Sequence, residues 1–325
     1  MLIPVLLFAL GLVLLIKGGD WFVDGATGIA EQFHVPELLI GATVVSIGTT
    51  LPEVMVSATS ALSGHGEISS GNAIGSIICN TALIAAITLS VRPGPVNTKT
   101  LKTPVIFFFL SAAVYCANAY LTGYFGRWIG LTLLAIFVVY MIVTVRQGIK
   151  NPDSVEPEED DDDSGKKSRT LPANLFLLVL GAVLIAVGAD LLVDNGTLIA
   201  EALGVPESVI ALTFVALGTS LPELVTAITS LVKGHGSLSL GNVIGANIFN
   251  LVLVSGAAAT LAPFSVPQSS TIWGLNSSLV LEIPLMLFVM AFMTLPALIT
   301  RKLQRYQGIT LLVIYAAFCV LQFTM

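Results

Sequence analysis

The sequence predicts an all-α, polytopic membrane protein of about ten spanning helices built as two inverted five-helix repeats. Three observations carry this expectation. The 325 residues are 55% hydrophobic and 10% charged with a mean hydropathy of +0.92, values foreign to a soluble domain of this length. Apolar runs long enough for a hydrocarbon core of about 30 Å, which takes about 20 helical residues, recur from end to end. Finally, residues 41–84 recur without gaps at 211–254, with identity at about 20 of 44 positions.

In chain order the runs fall at 2–25, 36–62, 69–91, 103–121, 127–146, 172–198, 207–232, 239–262, 276–299 and 308–324. Several exceed the minimum length, which predicts tilted or interrupted helices. The first run has neither a basic leader nor a small-residue cleavage pattern, so it is expected to be a retained helix. Five spans per half set the expected division: 1–146 for the first repeat, 147–171 for a linker and 172–325 for the second repeat. The linker holds DSVEPEEDDDD at 153–163, where 8 of the 20 acids are concentrated, a composition expected of a solvated connector. It lacks the oxygen-ligand pattern of an EF-hand.

Cytoplasmic loops retain positive charge, so the basic residues give an expected orientation. With the N-terminus outside, 12 of the 14 lysines and arginines fall in or beside inner loops, leaving Lys17 and Arg127 as exceptions. Both termini are then expected outside and the acidic linker in the cytoplasm, in a plasma-membrane protein. Cys79, Cys116 and Cys319 sit in apolar surroundings without ligand-like spacing, which suggests neither a disulfide framework nor a zinc site.

The repeat pairs its members at an offset of 170: Gly48 with Gly218, Pro52 with Pro222, Glu53 with Glu223, Asn72 with Asn242, Gly75 with Gly245 and Asn80 with Asn250. Upstream, Asp20 pairs with Asp190, Asp24 with Asp194 and Pro36 with Pro206. Because five is odd, the second copy enters the membrane from the opposite side. A pseudo-twofold axis in the membrane plane then brings GTTLPE at 48–53 and GTSLPE at 218–223 face to face near the midplane.

Each hexapeptide places an acid and a helix-breaking proline in an apolar span. The proline frees the carbonyl four residues back, Gly48 or Gly218, and such backbone is tolerated at membrane depth only inside protein or along a cavity. Thr49, Thr50, Thr219 and Ser220 add hydroxyls beside Glu53 and Glu223, and Asn80 and Asn250 add amide carbonyls. This oxygen set suits Ca²⁺ and Na⁺ alike, and two glutamates balance one divalent charge. An unpaired charge at the bilayer centre costs at least about 2.5 kcal/mol. Lys17 stands too near a helix end and Lys233 marks a loop, so the expected partner is a mobile cation or a proton.

The second motif reads GNAIGSIICN at 71–80 and GNVIGANIFN at 241–250. Its Gly-x-x-x-Gly spacing permits close helix approach at Gly71 with Gly75 and at Gly241 with Gly245. Asn72 and Asn242 are read as interhelical hydrogen-bond glue.

At these residues the sequence resembles the sodium/calcium exchanger family of the cation/Ca²⁺ antiporter superfamily, whose two α-repeats carry G-T-S-L-P-E and G-N-x-x-G-S-N-x-x-N/D. The resemblance implies a midplane diamond of metal ligands at Glu53, Asn80, Glu223 and Asn250. It implies flanking sodium sites with carbonyl and hydroxyl ligands from Ser46, Thr49, Thr50 and Ser76, and from Ala216, Thr219 and Ser220. Asn250 stands where some relatives carry Asp, removing a titratable group and pointing away from potassium co-transport. Ala246 stands where Ser is frequent, deleting one hydroxyl and leaving the number of Na⁺ ions open.

The expected function is therefore secondary active antiport of Na⁺ against Ca²⁺ by alternating access at one shared site, and the resemblance assigns the sliding to the first and sixth spans. The nearest alternative is a Ca²⁺/H⁺ antiporter with Glu53 and Glu223 carrying protons, disfavoured by the adjacent hydroxyls. A cation channel usually needs rings of repeated subunits, which two inverted copies do not supply. No nucleophile with a matched base, phosphate loop or zinc spacing occurs, so no enzyme is expected. The expected partners are Ca²⁺, Na⁺ and the bilayer, with no nucleic acid and no resident cofactor, in a monomer. Asp20 and Asp24, like Asp190 and Asp194, are spaced i, i+4 on one face near helix ends and are read as a wet mouth or structural bonds. His65 and His235 are read as parts of plain Gly-His-Gly turns, and Glu282 as a residue near the headgroups.

Overall fold

Backbone amides have no water to bond in hydrocarbon, so each apolar run satisfies them internally by coiling. The computed structural model describes residues 2–150, 169–203, 218–267, 271–272 and 274–324. Among them, nine helices are long and apolar enough to cross a membrane: α1 (Leu2–Phe33), α2 (Glu37–Leu62), α3 (Ile68–Val91), α4 (Thr98–Thr122), α5 (Arg127–Ile149), α6 (Leu171–Ile199), α8 (Gly236–Leu261), α9 (Ser278–Thr300) and α10 (Arg305–Gln322). The shorter α7 (Leu221–Val232) is the described part of the expected seventh span. That span's first half, with Pro206 and Ala216, and linker residues 151–168 lie outside the described residues.

Helix ends follow local chemistry. The Asn97 side chain accepts a hydrogen bond from the Lys99 amide at 3.0 Å to open α4, and Gly123 closes it in the left-handed region at φ 63. The duplicated Gly-His-Gly turns use the same device, with Gly64 at φ 84 and Gly234 at φ 94. Within α2, α3 and α8 the backbone widens to a π-helix at Gly41–Val45, Asn80–Ala85 and Asn250–Val254. The last two begin at residues 170 apart, so the duplication copies an irregularity and not merely a composition.

Loop pairing makes the inversion visible. Gly94–Pro95, after α3, pairs antiparallel with Lys302–Leu303 between α9 and α10. Tyr124–Phe125, after α4, pairs with Phe264–Ser265 between α8 and α9. Each pair joins one copy to the other, and they lie at opposite ends of α4, as an in-plane twofold requires.

Two separate apolar cores result. The larger joins α3, α4, α8 and α9 through side chains such as Ile74, Phe108, Tyr115, Phe249 and Met290. The smaller surrounds α1 and α6 with Leu15, Phe22, Val23, Leu178 and Ile185. Those two helices run antiparallel along a seam of glycines. A Cβ on Gly11 would lie 2.8 Å from the Gly188 carbonyl oxygen, and one on Gly18 would lie 2.9 Å from that of Gly181. Small residues let the backbones touch, which is how helices associate where lipid supplies no hydrophobic drive.

Two expectations need correction, and a third is met in one copy. Pro52 does not end its helix: α2 continues to Leu62, and its irregular backbone lies upstream at 41–45. Helix α1 runs nine residues beyond Asp24, so Asp20 and Asp24 lie within a helix and not near its end. The close approach expected of both Gly-x-x-x-Gly pairs is present at Gly241 and Gly245, where added Cβ atoms would fall 2.1 Å from the Leu38 carbonyl oxygen and 2.2 Å from Ser46 Oγ. For Gly71 and Gly75 no described residue lies within 4 Å of an added Cβ, so the expectation there is neither met nor overturned. The duplicates of Leu38 and Ala42 are residues 208 and 212, outside the described set.

Candidate functional site

Helices α2 and α7, which carry the two Leu-Pro-Glu sequences, pack on one another, and each also meets the π-helix of the opposite copy. The segment starting at Asn80 lies against α7, and the segment starting at Asn250 lies against α2. Glu53, Glu223, Asn80 and Asn250 are all fully buried at 0% exposure. The two carboxylates lie within each other's electrostatic reach. Across the copies, Thr50 Oγ1 donates to Glu223 Oε1 at 3.4 Å.

The polar atoms here are left unsatisfied. Both carboxylate oxygens of Glu53, Oε2 of Glu223, and the amide oxygens and nitrogens of Asn80 and Asn250 have no hydrogen-bond partner among the described residues. Leaving one buried polar atom unpaired costs about 1–3 kcal/mol, and more when charged. Five of these seven atoms are oxygens, the ligand type a desolvated hard cation takes, and they stand on elements that pack against one another across the two copies. No lysine, arginine or histidine comes within 4 Å of either glutamate among the described residues.

The remaining expected residues divide. Ser46, Thr49, Thr50 and Ser76 are buried in the first copy, Ser220 is buried and Thr219 half-buried in the second, and Ala216 lies outside the described residues. Ser46 Oγ donates toward the Gly41 carbonyl at 2.7 Å and toward Asn242, whose backbone and side-chain oxygens lie at 3.0 and 3.4 Å. Thr49 Oγ1 donates to Asn242 Oδ1 at 3.1 Å. Asn242 thus bonds two helices, as read from sequence, and Asn72 does so within its own copy through Ser57 Oγ at 3.0 Å.

Sequence reasoning passed over Asn247, Thr226 and Ser230. Asn247 Nδ2 donates to Thr81 Oγ1 at 2.7 Å and to Met290 Sδ at 3.1 Å, while its buried Oδ1 has no partner among the described residues. Thr226 and Ser230 continue the Glu223 face of α7 with buried hydroxyls that have no partner among the described residues. The i, i+3, i+7 spacing from Glu223 was the available signal. A small cleft of about 10 Å³ lies between Phe22, Ala182, Ile185 and Ala186 on one side and Gly48, Thr49, Pro52 and Pro222 on the other.

His235 is more than a turn residue: its Nδ1 lies 2.6 Å from Glu37 Oε1 at the start of α2. Lys233 marks a loop as expected, yet it is ion-paired, lying 2.6 Å from Asp24 and 3.5 Å from Asp20. Glu282 is half-buried, accepting from Ser278 Oγ at 2.9 Å. The thiols of Cys79, Cys116 and Cys319 are free.

Inverted helical copies that cage two carboxylates within the membrane define an ion transporter of the secondary-active class. The sodium/calcium exchanger pattern matches residues 3–146 and 173–324. The chain belongs to the sodium/calcium exchanger family. It is 30% identical to the sodium/calcium exchanger MaX1 of Methanosarcina acetivorans over 98% of both chains. It is 36% identical to the inner membrane protein YrbG of Escherichia coli over 81% of both. Among solved structures it resembles the sodium-calcium exchanger NCX_Mj with a TM-score of 0.78 and 33% identity, covering 98% of each chain.

Proposed function

We propose that this chain exchanges Na⁺ for Ca²⁺ across the membrane by alternating access at one midplane site, with Glu53, Asn80, Glu223 and Asn250 as the Ca²⁺ ligands. One observation carries the reading: two fully buried glutamates and two fully buried asparagines, on elements packed across the two copies, have orphaned polar atoms and no fixed basic partner among the described residues. A divalent ion neutralises both carboxylates at once, and hard oxygen ligands are what Ca²⁺ requires. Ser46, Thr49, Thr50 and Ser76, with Thr219, Ser220 and the Ala216 carbonyl, supply Na⁺ with neutral oxygens around the same acids.

Competition follows from charge. A cage with two acids cannot hold Ca²⁺ and a full set of Na⁺ together without uncompensated positive charge in low dielectric, so loading one species expels the other. If three Na⁺ move against one Ca²⁺, one net charge crosses, worth about 2.3 kcal/mol per 100 mV; two Na⁺ would make the cycle electroneutral.

In this reading the halves are 1–146 and 172–325, joined by the cytoplasmic linker 147–171, with both termini outside the plasma membrane. Each chain contains the whole site, so it works as a monomer. The deciding experiment is ⁴⁵Ca²⁺ uptake into proteoliposomes under imposed Na⁺, K⁺ or H⁺ gradients. Uptake is expected to follow the Na⁺ gradient; uptake that ignores Na⁺ and follows H⁺ would replace this reading with Ca²⁺/H⁺ antiport.

A further inference from the structure

The duplicated Asp-x-x-x-Asp pairs do not share a fate. Asp190 and Asp194 on α6 are exposed and have no basic partner within 4 Å among the described residues. Their copies on α1 are held. Lys233, directly after α7, places its ammonium 2.6 Å from Asp24 Oδ1, 2.9 Å from the Asp20 carbonyl oxygen and 3.5 Å from Asp20 Oδ1. An ammonium has three N–H donors, and all three acceptors here belong to α1. Arg169, just ahead of α6, adds a contact of 3.3 Å to Asp24 Oδ2. The residue paired with Lys233 by the 170-residue offset is Ser63, which carries no charge. Among the described residues, the mouth on the side of the 147–171 linker is therefore tied by ions and the other is not.

The tie adds to a direct packing contact between α1 and α7. Asp20 and Asp24 ride on α1 in the smaller core, and Lys233 follows α7, which packs in both cores, Ala227 in the larger and Leu221 and Val225 against the smaller. It also stands at the end of a polar track: Glu223, Thr226 and Ser230 share one buried face of α7, and the two hydroxyls have no partner among the described residues. Lys233 follows three residues after Ser230 on the linker side, so the same helix face runs from Glu223 to the ion pairs with α1.

The geometry points to Lys233 as a positioning residue that latches α1 to α7, holding the linker-side mouth shut until its ion pairs part. The inference rests on the alternating-access reading and adds to it an unequal resting preference between the two faces. Partly exposed ion pairs are individually weak, so the latch shifts the balance of open mouths by roughly three- to tenfold and does not lock it.

The test uses the full chain in proteoliposomes with Ser230→Cys as reporter and a membrane-impermeant maleimide added from either face; the chain without the reporter supplies the background from native thiols. Lys233→Ala is expected to speed linker-side labelling about three- to tenfold, Asp24→Asn to do the same, and Lys233→Arg to restore the slow rate. Choline chloride, which screens ion pairs without supplying a transported cation, is expected to speed labelling in the parent and not in Lys233→Ala. Ca²⁺ exchange is measured alongside. A folded Lys233→Ala protein that exchanges Ca²⁺ but labels at the parental rate with unchanged salt response overturns the latch. Loss of Na⁺-driven exchange in the parent itself overturns the transport reading instead.

Discussion

The two Leu-Pro-Glu helices share sequence but not construction. In α2 the proline sits inside a continuous helix, seven residues into the α-helical stretch that starts at Ser46, and the widened turn lies ahead of it. In α7 the helix begins at Leu221 after a turn at 218–220, so Pro222 falls in the first turn, where its missing N–H costs nothing. The asparagines diverge likewise. Asn242 reaches into the other copy to hold Ser46 and Thr49, whereas Asn72 stays in its own copy with Ser57 and the Glu53 carbonyl. Duplication fixes where a residue stands; its neighbours decide what it does.

The largest effect concerns the carboxylates, the one feature the copies hold in common. Glu53→Gln and Glu223→Gln are each expected to cut Na⁺-driven ⁴⁵Ca²⁺ exchange by about a hundredfold, since divalent affinity follows ligand charge. Retention of full exchange in either variant would break the symmetry at its centre and remove the proposed site.

A smaller effect separates the glycine pairs. Gly245→Ala drives a methyl group to 2.2 Å from Ser46 Oγ and 2.6 Å from the Ala42 Cα, an overpacking expected to cost about 1–3 kcal/mol and to lower the melting temperature in detergent. An equal loss in Gly75→Ala would show the same close seam in both copies.

The smallest effect tests the asparagines. Asn242→Ala removes the acceptor of the Thr49 and Ser46 hydroxyls, and a hydrogen bond worth about 1 kcal/mol corresponds to about a fivefold rise in the Na⁺ concentration for half-maximal exchange. Asn72→Ala is expected to leave that concentration unchanged. Matching shifts in both would mean that Asn72 serves its copy's hydroxyls as Asn242 does.

Much of this was legible because membrane burial makes polar residues expensive and therefore conspicuous. Glu53, Glu223, Asn80 and Asn250 stand out of apolar text, and the 170-residue offset alone indicates which pairs with which. The π-helices at Asn80 and Asn250 were not legible, because in spans that are apolar on every side a shift from 3.6 to a wider turn leaves no mark on hydrophobic periodicity. Nor was the tie from Lys233 to Asp24, 209 positions away, since span counting gives the face on which a charge lies but not its neighbour. Pro52 misled for a different reason. The rule that proline ends a helix comes from water, where a helix gains little by continuing, whereas in hydrocarbon the surrounding amides have nowhere else to go.

The glycine seam of α1 and α6 has a mechanical corollary. Carbonyls at Gly11 and Gly18 abut glycines 188 and 181 so closely that sliding one rod along the other would thrust a branched neighbour into bare backbone. The pair is therefore expected to move as one body. Whatever displaces that body at one face of the membrane carries its far end along, so access gained on one side is coupled to access lost on the other.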